Sequence, residues 1–171
     1  YARHFPAIDW LQSYSLYLDR LEGWFNEHVS PEWTALVQKT MALLQEESEL
    51  DEIVRLVGID ALSFHDRLTL ECTRSIREDY LHQNAFHEVD TYSSPKKQYL
   101  LLKSILTFHE KSLVALQEDA PFSKLVRLPV REKIGRLKYV PEDEVQAQYD
   151  ALMTDMNDQI RALTEGGEQH A

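Results

Sequence analysis

The chain has 171 residues and a mass of 20.0 kDa, which suits one folded domain and is too small for a large multidomain enzyme. Hydrophobic residues make up 43% and charged residues 27%, a composition that argues against a disordered or fibrous chain. The net charge of -11 opposes binding to a phosphate backbone, so we expect no nucleic-acid partner.

The cysteine content and the length of the apolar runs limit the class of protein further. Cys72 is the only cysteine, so no internal disulfide can form and a reducing compartment is favoured. The apolar runs are far shorter than the roughly 20 residues that a membrane-spanning helix needs, and no signal segment opens the chain. Because the chain begins at Tyr1 rather than at methionine, we expect it to be a piece of a longer protein.

Glycine is scarce in the first two thirds of the chain, which favours long helices over turn-rich β structure. The apolar spacing predicts a first helix from near Asp9 and a second from near Pro31. Gly58 is a typical helix end, and Ser63 is a typical start for the third helix.

Proline marks the helix starts in the second half of the chain. A serine before Pro95 predicts the start of a long amphipathic helix that ends before Pro121. Pro141 predicts the start of the last helix, which we expect to end at Gly166. Residues 166–171 are then expected to be a disordered tail. The fold class predicted is all-α, an antiparallel bundle of about five to seven helices.

The usual catalytic motifs are missing. Five glycines cannot supply the G-x-x-x-x-G-K-[ST] or G-x-G-x-x-G loops that bind phosphate, and no H-E-x-x-H pair or cysteine-rich zinc pattern occurs. We therefore assign no catalytic residue, no metal ligand and no cofactor to the chain itself. His82, His87, Glu88 and Asp90 form a local cluster, but five residues separate the two histidines, which favours a solvated helix end over a metal site.

A basic strip lies between residues 124 and 138 of this acidic chain. Six basic residues and one acidic residue, Glu132, give the strip a local charge of +5. Its members are Lys124, Arg127, Arg131, Lys133, Arg136 and Lys138. The strip can be a solvated surface that offsets the acidic remainder, or a docking surface for an acidic partner. The second possibility defines one hypothesis for the whole chain, a stand-alone helical adaptor.

Most aromatic residues fall at helical positions and are expected in the core. These are Trp10, Trp24, Trp33, Tyr99 and Phe108. Phe86 and Tyr92 differ, because they lie between two predicted helices in a polar segment. Their rings can pack within that loop or stack on a flat ligand, and the residues alone leave both possibilities open.

Three segments together resemble the C-terminal helical domain of the catalytic A subunit of V-type and archaeal-type rotary ATPases. They are RHFPAIDWL at residues 3–11, IREDYLHQNAFHEVDTY at 76–92 and LPVREKIGRLKY at 128–139. The middle segment is the most specific match, and Asp9 stands where the family has asparagine. The resemblance covers essentially the whole chain.

The resemblance implies that residues 1–165 are the C-terminal domain of a larger catalytic subunit, with residues 1–9 leading out of its nucleotide-binding domain. That parent subunit would bind ATP or ADP with Mg²⁺ and couple ATP hydrolysis or synthesis to ion transport. Its partners would be the non-catalytic B subunits and the central rotor stalk, in a cytoplasmic head peripheral to the membrane.

The resemblance also implies roles for single residues. The Gln83-x-x-Phe86 spacing, with Tyr92 six residues further on, parallels a stretch of the F-type β subunit whose two aromatic residues flank adenine. Phe86 is therefore the first candidate for an adenine contact, and Tyr92 is the second.

The loop after Gly58 parallels the acidic loop of the F-type β subunit that touches the rotor. Four residues of that pattern are kept and become candidate partner contacts: Asp60, Leu62, Ser63 and Asp66. Ala61, Phe64 and His65 stand where the β subunit is acidic, which disfavours a contact based on charge. In the basic strip, Arg131, Lys133 and Arg136 are further candidate partner contacts.

Overall fold

The computed structural model describes residues 7–81 and 94–168, and every regular element in these two ranges is helical. The α-helices in them are α1 (Ala7–His28), α2 (Trp33–Val57), α3 (Phe64–Ser75), α4 (Pro95–Gln117), α5 (Phe122–Leu125), α6 (Val130–Arg136) and α7 (Val145–Glu168). Two short 3-10 turns occupy Ile59–Ala61 and Leu137–Tyr139, and α3 continues as a π-helical segment, Ile76–Leu81. The prediction of an all-α helical bundle is confirmed.

The predicted helix signals work through identifiable hydrogen bonds. Gly58 ends α2 at a φ of 92°, a conformation that other residues rarely adopt. The Ser63 hydroxyl accepts a hydrogen bond from the Asp66 amide at 3.2 Å and caps α3. The Ser94 hydroxyl accepts one from the Lys97 amide at 3.0 Å and caps α4.

Two predicted helix starts are too early. Residues 31 and 32 form a turn, so α2 begins at Trp33 rather than at Pro31. A turn in which the Glu144 amide donates to the Pro141 carbonyl likewise precedes α7, which begins at Val145. In both places proline opens the turn that precedes the helix.

The predicted disordered tail, 166–171, is partly wrong, because α7 continues to Glu168. Glycine costs about 1 kcal/mol relative to alanine inside a helix. That cost does not end a helix when the preceding turns already supply hydrogen-bond acceptors. Residues 169–171 lie outside the described residues.

Helix α4 lies at the centre of the bundle and packs against α2, α3, α6 and α7. Its buried face carries Leu102, Ile105 and Leu106, while α1 packs on α2. The Phe25 and Trp33 rings stack there with centroids 4.0 Å apart. The core is therefore continuous across these packed helices.

Three of the predicted core aromatics, Trp33, Tyr99 and Phe108, are buried. The prediction for Trp24 is wrong, since 47% of its surface is exposed. Its ring lies on the outer side of α1 and stacks on His28, with centroids 4.7 Å apart. The side chain of Trp10 lies outside the described residues.

In the described ranges, the helices all lack the combination of length and apolar character that a bilayer crossing requires.

Candidate functional site

One candidate contact region, the loop after Gly58, lies at one end of a helical rod, and the chain leaves the other end of the rod for residues 82–93. The rod consists of the 12 residues of α3 and the six residues of its π-helical extension. At about 1.5 Å per residue its length is about 27 Å. Ser63 caps one end, and Leu81 at the other end leads into residues 82–93. The rod therefore connects the predicted partner contact with the segment that holds Phe86 and Tyr92.

The four residues kept from the rotor-contact pattern play different parts. Leu62 is buried and belongs to the packing, while Ser63 caps α3 by accepting from the Asp66 amide. The Asp60 side chain is almost fully exposed and accepts a hydrogen bond from Arg67 at 3.2 Å. Asp60 and Asp66 are thus the two that present a carboxylate at this end of the bundle, while Leu62 and Ser63 shape the turn.

Apolar side chains project from the same end of the bundle. We call this the apolar tip, formed by Leu56, Val57, Ile59 and Phe64. Leu56 is 72% exposed and Val57 is 67% exposed, although both stand in the last turn of α2. Large apolar side chains grouped on a surface are typical of a protein contact. The sequence did not predict the apolar tip, because an apolar run before a glycine normally indicates burial.

The basic strip does not form one continuous surface. Arg131 points into the bundle, where its guanidinium contacts the Glu71 carboxylate at 2.9 Å and donates to the Val126 carbonyl at 2.8 Å. Lys133 donates to Asp155 on α7 at 2.5 Å, and it remains half exposed. Arg136 is mostly exposed, at 3.7 Å from Glu132. Of the three partner contacts predicted in the basic strip, Arg136 is therefore the most accessible.

Phe86 and Tyr92 lie outside the described residues, but both ends of the segment that carries them are described. Ser94, at the start of α4, donates to the Glu142 carboxylate through both its amide, at 3.3 Å, and its hydroxyl, at 2.6 Å. Within the π-helical extension, three residues before its end, the Glu78 carbonyl accepts a hydrogen bond from Lys138 at 3.4 Å. The two ends are therefore tied to the chain that leads from α6 into α7.

Two buried lysines lie at this end of the bundle. Lys97 is 1% exposed and donates to the Lys138 carbonyl at 3.0 Å, while Lys138 is 7% exposed. Burial of lysine is rare because its charge loses hydration. The sequence carried one signal for Lys97, which shares the buried helical face of Leu101 and Ile105 at four-residue spacing.

A carboxyl group lies beside these lysines. Asp79 packs against Gly135, where a Cβ would lie 2.9 Å from the Asp79 Oδ1 atom. Burial raises the pKa of Asp79, and the charge of Lys138 acts in the opposite direction. Gly135 thus leaves room for Asp79 that any other residue would fill.

A small, mostly apolar cavity of about 20 Å³ lies between α3, α4 and α6. Burial lowers the pKa of His109 to about 4 and raises the pKa of Cys72 to about 12. His109 is therefore neutral at pH 7 and Cys72 is a thiol, which is a poor nucleophile. The cavity has room for water and not for a nucleotide.

Outside the 82–93 gap and the two termini, no group of three or more metal-ligating side chains is arranged to hold a metal ion. The predicted cluster of His82, His87, Glu88 and Asp90 lies outside the described residues. Its interpretation as a solvated helix end stays a prediction.

Comparison with known proteins identifies the family of this chain. Residues 22–126 match the family model for the C-terminal domain of V and A type ATP synthase. A V-type ATP synthase alpha chain from Acetivibrio thermocellus is 60% identical over 163 residues, which cover 95% of this chain and 28% of that protein. An alpha chain from Thermoanaerobacter pseudethanolicus is 56% identical over 98% of this chain, which corresponds to 28% of that protein. An alpha chain from Clostridium botulinum is 51% identical over 100% of this chain, which corresponds to 29% of that protein.

This chain spans less than a third of the length of these relatives. The matches nevertheless run along nearly all of it, at identities that leave no doubt about common descent. The chain therefore belongs to the family of C-terminal domains of V- and A-type ATP synthases.

Proposed function

We propose that this chain is the helical domain of a V-type ATP synthase alpha chain, and that it links the nucleotide site of that subunit to the central rotor stalk. The observation that carries the proposal is the 60% identity to such an alpha chain over 95% of this chain. The parent protein then makes or hydrolyses ATP in step with ion transport, in a head that lies on the cytoplasmic side of the membrane.

The nucleotide contact is assigned to Phe86, with Tyr92 as the second aromatic residue. The rest of the parent subunit supplies the phosphate-binding loop and the Mg²⁺ site for ATP or ADP. Adenine needs an apolar face, which phosphate-binding backbone does not offer. An aromatic side chain from an adjoining helical domain meets that need.

The rotor contact is assigned to the apolar tip with the carboxylates of Asp60 and Asp66. Its support is the exposure of Leu56 and Val57 at the end of α2, which leaves apolar area for a partner to cover. The contact with the non-catalytic B subunits is assigned to Arg136 and Lys133, whose charged side chains are exposed.

The α3 rod provides the mechanical link between the two contacts. A rotor that touches the apolar tip differently at different angles stabilises one orientation of the domain over another. A rigid helix then carries that preference to the adenine contact at the opposite end. Rotor angle and nucleotide affinity become coupled, because each contact has different free energies in the two orientations.

The Phe86→Ala substitution in the complete ATPase complex tests the nucleotide contact. We expect the binding free energy of the nucleotide to weaken by about 1 to 3 kcal/mol, which is the contribution of one aromatic side chain that stacks on a base. Equilibrium binding of ADP to the purified complex measures it, and Tyr92→Ala should have the smaller effect of the two.

Trp24→Ala is the matched control, since it removes a half-exposed ring on α1 that belongs to neither proposed contact. Its direct effect on adenine binding should be small compared with that of Phe86→Ala. Equal affinity of wild type and Phe86→Ala for ADP would remove Phe86 from the nucleotide site.

The stand-alone adaptor is not favoured. It requires a docking surface made by the whole basic strip, whereas Arg131 and Lys138 are turned into the bundle. The match to an alpha chain covers 95% of this chain and does not require an adaptor role.

A further inference from the structure

Two polar side-chain atoms on α4 are buried and have no hydrogen-bond partner in residues 7–81 and 94–168. They are the Nδ1 atom of His109 and the Oγ atom of Ser112. His109 is 5% exposed and Ser112 is 0% exposed. A buried polar group that has lost its hydration and has gained no partner destabilises the fold, so native proteins contain few of them.

Both residues line the small cavity between α3, α4 and α6. Its volume of about 20 Å³ is enough for one water molecule, which needs about 10 to 15 Å³, and is too small for two. Most of the lining is apolar and includes Leu68, Ile105 and Phe108. Because apolar walls offer no hydrogen bonds, the free polar atoms of His109 and Ser112 determine where an occupant can be held.

The charged groups that line the cavity neutralise each other. The Glu71 carboxylate lies 2.9 Å from the guanidinium of Arg131, which also donates to the Val126 carbonyl at 2.8 Å. Burial lowers the pKa of His109 to about 4 and raises the pKa of the Cys72 thiol to about 12, so both groups are neutral at pH 7. The cavity therefore favours an uncharged occupant over an ion.

We propose that this cavity is a binding site for one water molecule, which bridges the His109 imidazole and the Ser112 hydroxyl. The two residues are three apart on α4, so their side chains lie on the same face of the helix. Water both donates and accepts, and the Ser112 hydroxyl can rotate to match it, so either tautomer of His109 is satisfied. The site is separate from the proposed nucleotide and rotor contacts, and it completes the packing between α3 and α4.

A crystal structure of the 171-residue chain tests the site directly. We expect density for one water molecule within about 3.2 Å of both His109 Nδ1 and Ser112 Oγ. Density for an ion at this place would overturn the inference. So would a protein atom in the role of the water, such as the Phe108 carbonyl accepting from the Ser112 hydroxyl four residues later.

The Ser112→Ala substitution tests the same site in solution through the sign of its effect. Removal of an unpaired buried hydroxyl would make the folded chain more stable. If the hydroxyl binds the water, the same substitution removes a hydrogen bond and leaves the water with His109 as its main partner. We therefore expect the equilibrium constant for unfolding to rise about fivefold, the change that corresponds to one net hydrogen bond. A constant that falls or stays the same would contradict the site.

Ser104→Ala is the matched control, because it makes the same substitution at another fully buried position of α4. The Ser104 hydroxyl donates to the Leu100 carbonyl at 2.7 Å, and Ser104 does not line the cavity. That carbonyl keeps its backbone partner in the helix, so no buried group is left unpaired. We expect the unfolding constant to change by about twofold at most, with the water retained in the crystal structure. Equal rises in the two variants would contradict a water site at Ser112.

Discussion

Trp33→Ala is expected to lower the free energy of unfolding of the chain by about 3 kcal/mol, near the lower end of the range for removal of a buried tryptophan. Trp33 is fully buried, and its ring stacks on Phe25 where α1 meets α2. The indole Nε1 atom is buried with no hydrogen-bond partner among the described residues. Alanine removes that unpaired donor together with the packing, which is why we expect the loss to fall short of about 5 kcal/mol.

Urea denaturation of the 171-residue chain, followed by circular dichroism, measures this loss. Trp24→Ala is the control, because Trp24 also lies beside Phe25 but is 47% exposed. It should cost less than about 1 kcal/mol. Equal losses in the two variants would contradict the assignment of Trp33 to the core.

Acid is expected to destabilise the fold through His109. Burial lowers its pKa to about 4 in the folded chain, against an ordinary value of 6.5, with the charge of Lys39 acting in the same direction. Between these two values the unfolded chain binds a proton that the folded chain does not bind. Stability therefore falls as the pH falls from 6.5 towards 4, by about 2 kcal/mol between pH 7.5 and pH 5.

Measuring the free energy of unfolding of wild type and of His109→Gln at pH 7.5 and at pH 5 isolates the contribution of His109. Glutamine is polar and does not titrate, so the acid loss in the variant should be smaller by about the same 2 kcal/mol. Burial raises the pKa of Glu47 and of Asp79, which changes stability in the opposite sense, but both groups are present in the two proteins and cancel in the comparison. Identical pH dependence in the two proteins would show that His109 is accessible to protons in the folded state.

Much of the fold could be predicted from local chemistry. Gly58 ends a helix because its positive φ suits glycine, and Ser63 starts one because its hydroxyl satisfies a free amide. These signals are short in range and act within one turn. The early starts predicted at Pro31 and Pro141 came from the same signals, which mark a turn as readily as the first turn of a helix.

The site was harder to predict, because it depends on partners that are distant in sequence. Arg131 stands in a basic strip that suggests a surface, yet the Glu71 carboxylate on α3, 60 residues away, draws it into the bundle. Lys138 is buried for a similar reason, since it reaches the Glu78 carbonyl. The apolar character of Leu56 and Val57 was plain in the sequence, but nothing there indicated that this chain leaves them uncovered.

The proposed coupling makes nucleotide affinity at the far end of α3 depend on contact at the apolar tip. Its most direct test is a calorimetric titration of the complete complex with ADP, in wild type and in a variant with Leu56→Ser and Val57→Ser. Both side chains are exposed, so the substitutions should leave the fold intact. An asymmetric rotor should give the catalytic sites unequal affinities for ADP, and the variant should narrow the spread of those affinities. An unchanged spread of affinities in the variant would contradict the coupling.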